Sequence, residues 1–260
     1  MQWLRAERRR RFWLLPPRFR VHTSDVEYTP GLRARVYRPV GTVSFAAALD
    51  VHGGNWTSGD RFQQEQLDRA LSANGVLVAA IDYRLAPPDA YPASVEDVQT
   101  AAHWLRAHAT EFGATPDAAV GGIGSSAGGH LVILAALRAP ADFDFVVADA
   151  PIADTSAYAG RHPYWPTREA ALDGSPIEAV ARQHGTNLPP MVIAHGTRDA
   201  AVPVETSRAF AAGYRAAGGR IELLEFEGLD HAFILTRPRE RAARALAQAV
   251  LRFVENQRRL

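Results

Sequence analysis

Along this chain, short apolar runs alternate with longer stretches in which apolar residues recur every three or four positions, the first pattern suiting strands and the second helices. Strands are predicted near 21–28, 32–38, 45–51, 76–82, 118–123, 144–149, 190–195 and 220–226. Helices are predicted near 62–74, 94–110, 127–138, 204–217 and 238–257, with a shorter one around 176–183. The first two strands read as an antiparallel pair. Val76-Leu77-Val78-Ala79-Ala80-Ile81 has no polar member before Asp82, so both faces of that strand are expected to be covered. This alternation predicts an α/β fold, a mostly parallel eight-stranded sheet with helices on both faces. No internal repeat or low-complexity linker divides residues 1–260, which read as a single domain. Two segments break the pattern: an Arg-rich arm at 1–20, and an insert at 151–189 after the sixth strand.

The candidate chemistry sits where predicted strands end. Gly122-Ile123-Gly124-Ser125-Ser126-Ala127-Gly128-Gly129-His130 lies between a strand and a helix, and its centre, Gly124 to Gly128, fits a nucleophile elbow with Ser126 at the apex. Small residues flank the serine because larger ones would clash as the helix packs back on the strand. A positive φ is expected at Ser126, a strain tolerated where function needs it. Ser125 lies one place off the apex. A bland Gly/Ser-rich turn is the alternative reading, and the order of the pieces around it argues against that.

Upstream, the strand at 45–51 runs into His52-Gly53-Gly54-Asn55-Trp56, whose glycines let bare backbone N–H groups face a reacting oxygen. The N–H groups of Gly54, Asn55 and Ala127 are the candidate oxyanion hole. Downstream, Asp199 follows the strand at 190–195, and His231 follows the strand at 220–226. The order Ser, acid, His suits a triad in which His231 takes the Ser126 proton, Asp199 holds the imidazole, and water releases an acyl-enzyme. Asp230 adjoins His231, but neighbouring side chains diverge, so Asp199 is preferred. His52 and His130 are read as structural, the first propping the glycine loop. In the insert, Tyr158, His162, Tyr164 and Trp165 either stack on a substrate or cover the sheet. Trp56, Trp165 and Tyr158 are the candidate substrate-binding residues, Trp56 because its backbone is fixed beside the glycine loop.

Composition narrows the class. The 260 residues are 47% hydrophobic with a net charge of +1, which gives no general pull on nucleic acid. No run approaches the roughly 18 apolar residues of a membrane span. Cysteine is absent, which removes disulfides, thiolate catalysis and cysteine–metal sites. Lysine is absent too, so all 29 basic residues are Arg, and Gly121-Gly122 cannot belong to a phosphate loop that needs a Lys. With abundant Ala, this usage suggests a bacterial genome of high GC content. No cofactor or metal is called for. The arm carries seven Arg against Glu7 alone, and Phe12-Trp13-Leu14-Leu15 is too short an apolar core for a signal peptide, so a cytoplasmic protein is expected. An amphipathic helix packing Trp3, Leu4, Phe12 and Trp13 on the body is the expected form of the arm; bordering the site mouth or touching an anionic surface are the alternatives.

Together these stretches resemble the α/β-hydrolase superfamily, in particular its hormone-sensitive-lipase-like and acetyl- or feruloyl-esterase-like carboxylesterases. The resemblance rests on His52-Gly53-Gly54, Asp82-Tyr83-Arg84-Leu85-Ala86-Pro87, the serine elbow, His195-Gly196-Thr197-Arg198-Asp199 with Val202-Pro203, and Asp230-His231-Ala232-Phe233, and covers nearly everything after about residue 25. It implies an α/β-hydrolase fold with a short lid or pocket insert after strand six, and a serine carboxylesterase acting on a small-molecule ester. Hormone-sensitive-lipase-like members usually have a third glycine where Asn55 stands, an acid where Ser125 stands and a longer N-terminal cap. The Gly-Gly-x-Trp form and the run at 128–131 look closer to feruloyl-esterase-like and arylformamidase-like branches, and the short cap implies short acyl groups. Arylformamidase or amidase, thioesterase and acyl transferase chemistry stay open on the same triad, as does a non-catalytic ligand-binding protein. The oligomeric state stays open, a homodimer being one option.

Overall fold

The computed structural model describes residues 15–183, 187–231 and 241–257. The expected N-terminal helix around Trp3, Leu4, Phe12 and Trp13 lies outside the described residues, as do Ala232, Phe233 and the expected start of the last helix at 238. Within them every predicted strand is present: β1 (Arg20–Thr29), β2 (Leu32–Val40), β3 (Ser44–Val51), β4 (Val76–Ile81), β5 (Ala114–Ser125), β6 (Phe145–Asp149), β7 (Met191–Gly196) and β8 (Ile221–Phe226). They form one eight-stranded sheet in the order β1-β2-β4-β3-β5-β6-β7-β8. β1 pairs antiparallel with β2 and β2 with β4, and every pairing from β4 through β8 is parallel.

The helices, numbered along the described chain, are α1 (Glu65–Ser72), α2 (Ala93–His108), α3 (Ala127–Arg138), α4 (Arg168–Asp173), α5 (Pro176–Ala181), α6 (Val204–Ala216) and α7 (Arg241–Asn256). α4 was not expected from the sequence, because six residues are too few for a helical period to show. None of the described helices is long and apolar enough to cross a membrane.

The two-residue period of the strands sorts their side chains into two cores. Ala47, Leu49, Val51, Leu77, Ala79 and Ile81 belong to the core built with Val98 of α2 and Leu131 and Leu134 of α3, which extends to Phe210 of α6 at the β7–β8 end of the sheet. Ala46, Ala48, Val76, Val78 and Ala80 face the other way onto Leu67 and Leu71 of α1 and Leu246, Val250 and Val254 of α7. Leu15 closes this second core, and the backbone N–H groups of Arg18 and Phe19 both donate to Ala73 O at 2.9 Å. Gly121 and Gly122 have a packing reason: a Cβ at Gly122 would lie 1.9 Å from Val132 Cγ2, and one at Gly121 would lie 2.4 Å from the Phe145 ring.

The second core holds a polar inclusion. Asp50 on β3 faces α1, where Gln64 Nε2 donates to its Oδ1, and Asp68 is buried beside it. Burial pushes the Asp50 carboxyl up to about 7 and Asp68 well above the usual carboxylate range, with Asp50 adding to the rise at Asp68. Burial and the charge of the neighbouring carboxyl both favour protonation of this pair.

A carboxyl whose folded value is raised binds more protons folded than unfolded, so its stabilisation is lost as pH climbs from about 4 toward about 7. Asp68→Asn, which removes one of the two buried carboxyls, is expected to flatten that loss, which amounts to up to about 1.4 kcal/mol per pH unit per proton. Urea midpoints at pH 5 and pH 8 test this; equal shifts in both proteins would remove the pair as the source.

Candidate active site

The parallel strands point their carboxyl ends at one rim, and the candidate residues stand there, as the fold class favours. β5 ends at Ser125, and α3 begins at Ala127, leaving Ser126 between them with φ 54° and ψ −118°. Its N–H donates to Asp149 O at 2.8 Å, and its carbonyl accepts from His130 N at 2.9 Å. The turn is this tight because its glycines touch backbone. A Cβ at Gly128 would lie 1.9 Å from Val51 O, and one at Gly124 would lie 2.5 Å from Gly128.

His231 arrives on the turn after β8, which is stitched to the end of β7. Thr197 N donates to Phe226 O at 3.0 Å, Arg198 N to Leu229 O at 2.9 Å, and Gly228 N to Thr197 Oγ1 at 2.9 Å. A Cβ at Gly196 would sit 2.3 Å from Leu229 O, so this approach also requires glycine. The result is a chain of three side chains: Ser126 Oγ lies 2.9 Å from His231 Nε2, and His231 Nδ1 lies 2.7 Å from Asp199 Oδ2. The carboxylate meeting His231 thus comes from the loop after β7, not from the adjacent Asp230. Asp199 Oδ1 accepts the N–H groups of Ala201 at 2.9 Å and Val202 at 2.8 Å. Burial alone would push the Asp199 carboxyl up, but hydrogen bonds from His195, His231 and Val202 outweigh it and hold the group well below the usual carboxylate range.

Two buried groups beside this chain carried no role in the sequence reading. Asp149, at the end of β6, receives the Ser125 hydroxyl at 3.4 Å, and burial pushes its carboxyl up to about 7. His195, on β7, lies 3.1 Å from Asp199 Oδ2 through Nε2. The signal for His195 was a lone polar residue closing an apolar strand.

The glycine loop runs alongside the serine: a Cβ at Gly53 would stand 3.4 Å from Ser126 Cβ. Gly54, Asn55 and Trp56 have φ of 109°, 53° and 58°, so consecutive residues hold a left-handed backbone, two of them at a steric cost. The loop is braced on both sides. His52 stacks on Tyr83 at 4.2 Å, and Tyr83 OH donates to His52 O at 2.9 Å. Gly53 N donates to Gln63 Oε1 at 2.7 Å. On the far side, Trp56 Nε1 donates to His130 Nδ1 at 3.1 Å, and His130 Nε2 donates to Gly174 O at 2.8 Å. Burial pushes His130 down to about 4, in keeping with a neutral ring that both accepts and donates.

The expectation that Trp56 and Trp165 are substrate-binding residues is corrected. Both are 0% exposed. Trp56 stacks on Tyr164 at 5.5 Å and meets Trp165, His130, Tyr158 and His162 edge-on, so the insert's aromatics fasten the glycine loop from behind. Tyr158 is half-buried, and the exposed Asn55 side chain meets His162 Nε2 at 2.9 Å. Among the described residues no group of three or more His, Cys, Asp or Glu is placed to hold a metal ion.

Residues 48–235 match a family described as alpha/beta hydrolase fold. Esterase LipC of Mycobacterium tuberculosis is 33% identical over 216 residues, 71% of this chain and 52% of that protein. Esterase LipQ of the same organism is 31% identical over 271 residues, 91% of this chain and 63% of that protein. The chain therefore spans less than two thirds of the length of either relative. Among solved structures, the butyrate-bound esterase Est2 of Thermogutta terrifontis superposes with a TM-score of 0.76 at 27% identity, over 90% of this chain and 94% of that one. The carboxylesterase EstE1 from a metagenomic library gives 0.81 at 24% identity over 94% and 91%, a likeness of fold.

Trp56→Phe is expected to destabilise the protein by about 1–3 kcal/mol, because it leaves the buried His130 Nδ1 without its donor. Trp165→Phe removes a similar ring area, but Trp165 Nε1 has no partner among the described residues, so it should cost less. Urea denaturation of the pair decides; equal losses would mean that the bond to His130 is not the anchor.

Proposed function

The chain belongs to the α/β-hydrolase fold family, and from that premise we propose that it is a serine carboxylic-ester hydrolase acting on short-chain or small aromatic esters. The observation that carries this reading is the unbroken hydrogen-bond chain from Asp199 through His231 to Ser126 Oγ. A serine hydroxyl is a weak nucleophile until a base takes its proton as it attacks. His231 Nε2 is that base. Asp199 fixes the tautomer with the hydrogen on Nδ1 and stabilises the imidazolium. The carbonyl oxygen becomes an oxyanion received by the N–H groups of Gly54, Asn55 and Ala127, each donor worth roughly 2.7–4 kcal/mol of barrier. The imidazolium then protonates the departing alcohol. Water, deprotonated by the same ring, attacks the acyl-enzyme, and the acid leaves as Ser126 recovers its proton.

Several features support this assignment. The strained φ of Ser126 is of the kind that persists at functional sites. The loop bearing Gly54 and Asn55 is held beside the serine by the Trp56 anchor rather than left to find its position. The relatives are named esterases, and one neighbour was solved with butyrate, a short acyl group. A folded insert packed tightly on the glycine loop suits a small acyl chain better than a long one.

Hydrolysis of p-nitrophenyl esters from acetate to laurate is expected to peak at short chains. Ser126→Ala should lose on the order of 10⁶ in kcat with its fold intact, and Asp199→Asn about 10⁴ through the wrong imidazole tautomer. Turnover retained by a folded Ser126→Ala protein would sink the assignment.

A further inference from the structure

Asp199 carries more hydrogen bonds than a triad acid needs. Its Oδ1 takes two backbone N–H groups, and its Oδ2 takes two imidazoles, His231 at 2.7 Å and His195 at 3.1 Å. A carboxylate offers about four lone-pair directions, so this one is filled and cannot turn without breaking a bond. The ring of His195 is itself held. Its Nε2 faces a second acceptor, Val202 O at 2.9 Å, so that nitrogen carries the hydrogen, and Nδ1 meets Ser207 Oγ of α6 at 2.8 Å. His195 is 0% exposed on β7, a strand paired on both sides, between Ala194 and Gly196, a position where an apolar side chain would satisfy packing alone.

We propose that His195 is a positioning residue for the reaction: by donating Nε2–H to Asp199 Oδ2, it orients the carboxylate on which His231 rests and shares part of its negative charge. The inference rests on the reading of Ser126, His231 and Asp199 as a triad. His195 touches no reacting atom and acts only through Asp199. The other ionisable groups around it are Asp149 on β6, Glu225 on β8, which is paired with Arg208, and His231 with its neighbour Asp230. Burial pushes the Asp149 carboxyl up to about 7, whereas hydrogen bonds hold Asp199 well below the usual carboxylate range, and it is Asp199 that bonds His231 directly. A donor removed from that anion concentrates its charge on the oxygen facing His231. The imidazolium is then held more tightly, and the base form of His231 is reached at higher pH.

The alternative is a staple that only closes the β7–α6 turn through Val202 and Ser207. Three variants separate the two, assayed with p-nitrophenyl butyrate across pH together with thermal melting. His195→Phe removes both ring nitrogens. His195→Gln reaches as far as Nε2 and keeps a donor for Asp199, whereas His195→Asn reaches only as far as Nδ1 and keeps the Ser207 contact. For Phe and Asn we expect kcat to fall roughly 10–100-fold at unchanged KM, the scale on which outer partners of metal-bound histidines act. The acid limb of kcat/KM should move up by about one pH unit, and Gln should restore both. If Phe fails to fold, the contrast between Gln and Asn carries the test. An unmoved acid limb, with kcat falling only in step with melting temperature, or Gln and Asn behaving alike, would overturn the proposal. Ser126→Ala is run alongside: hydrolysis surviving there refutes the triad itself, whereas an inactive Ser126→Ala with an unmoved limb refutes His195 alone.

Discussion

The site depends first on a steric constraint, the contact of α3 with the ends of β3 and β5. With no side chain at Gly124 or Gly128, the first turn of the helix drops onto the carbonyls of Val51 and His52. That contact forces the chain to reverse within one residue, which sets the backbone of Ser126 at φ 54° and lifts its hydroxyl above the sheet. It also brings the glycine loop, which continues from the same Val51 and His52, to the side of the serine. The candidate nucleophile and the candidate oxyanion donors are therefore placed by one packing event.

Around that contact the buried acids take different forms, and the difference lies in the number of donors each one finds. Asp199 finds two backbone N–H groups and two imidazoles, and these overcome the penalty of burial. Asp149 finds one distant hydroxyl, and its Oδ1 has no partner among the described residues, so burial pushes it up to about 7. Asp50 and Asp68 are buried together on the opposite face of the sheet, with Gln64 as the donor to Asp50, and burial pushes both carboxyls up. The number of donors thus sets Asp199 apart from the other three, whose carboxyls burial pushes up.

The insert after β6 serves the site from behind. Its residues Tyr164 and Trp165 clamp Trp56, while Gly174 fixes the tautomer of His130, which in turn receives the Trp56 N–H. A left-handed run at Gly54, Asn55 and Trp56 stays in place because the large ring at its end is buried and hydrogen-bonded. An aromatic-rich segment near a catalytic loop suggests substrate stacking from sequence, yet in the fold two of the three aromatic candidates, Trp56 and Trp165, are core.

How far the sequence reached follows from how local each signal is. The strands, the long helices and the two-faced burial of the sheet were legible because they are written in hydrophobic periods of two and of three to four residues. Ser126 was legible because a tight strand-to-helix turn demands small residues within five positions, and Asp199 and His231 because each follows a strand end. The six-residue helix α4, the burial of Trp56 and Trp165, and the second imidazole on Asp199 were not. Each depends on how the chain folds back on itself: Gly174 under Trp165, Tyr164 over Trp56, His195 beside the carboxylate four residues on. The sequence by itself determined the elements and the residue types able to do the chemistry, because those are local properties of the chain. Only the tertiary structure decided burial, tautomer and charge, because these depend on what packs across from a side chain.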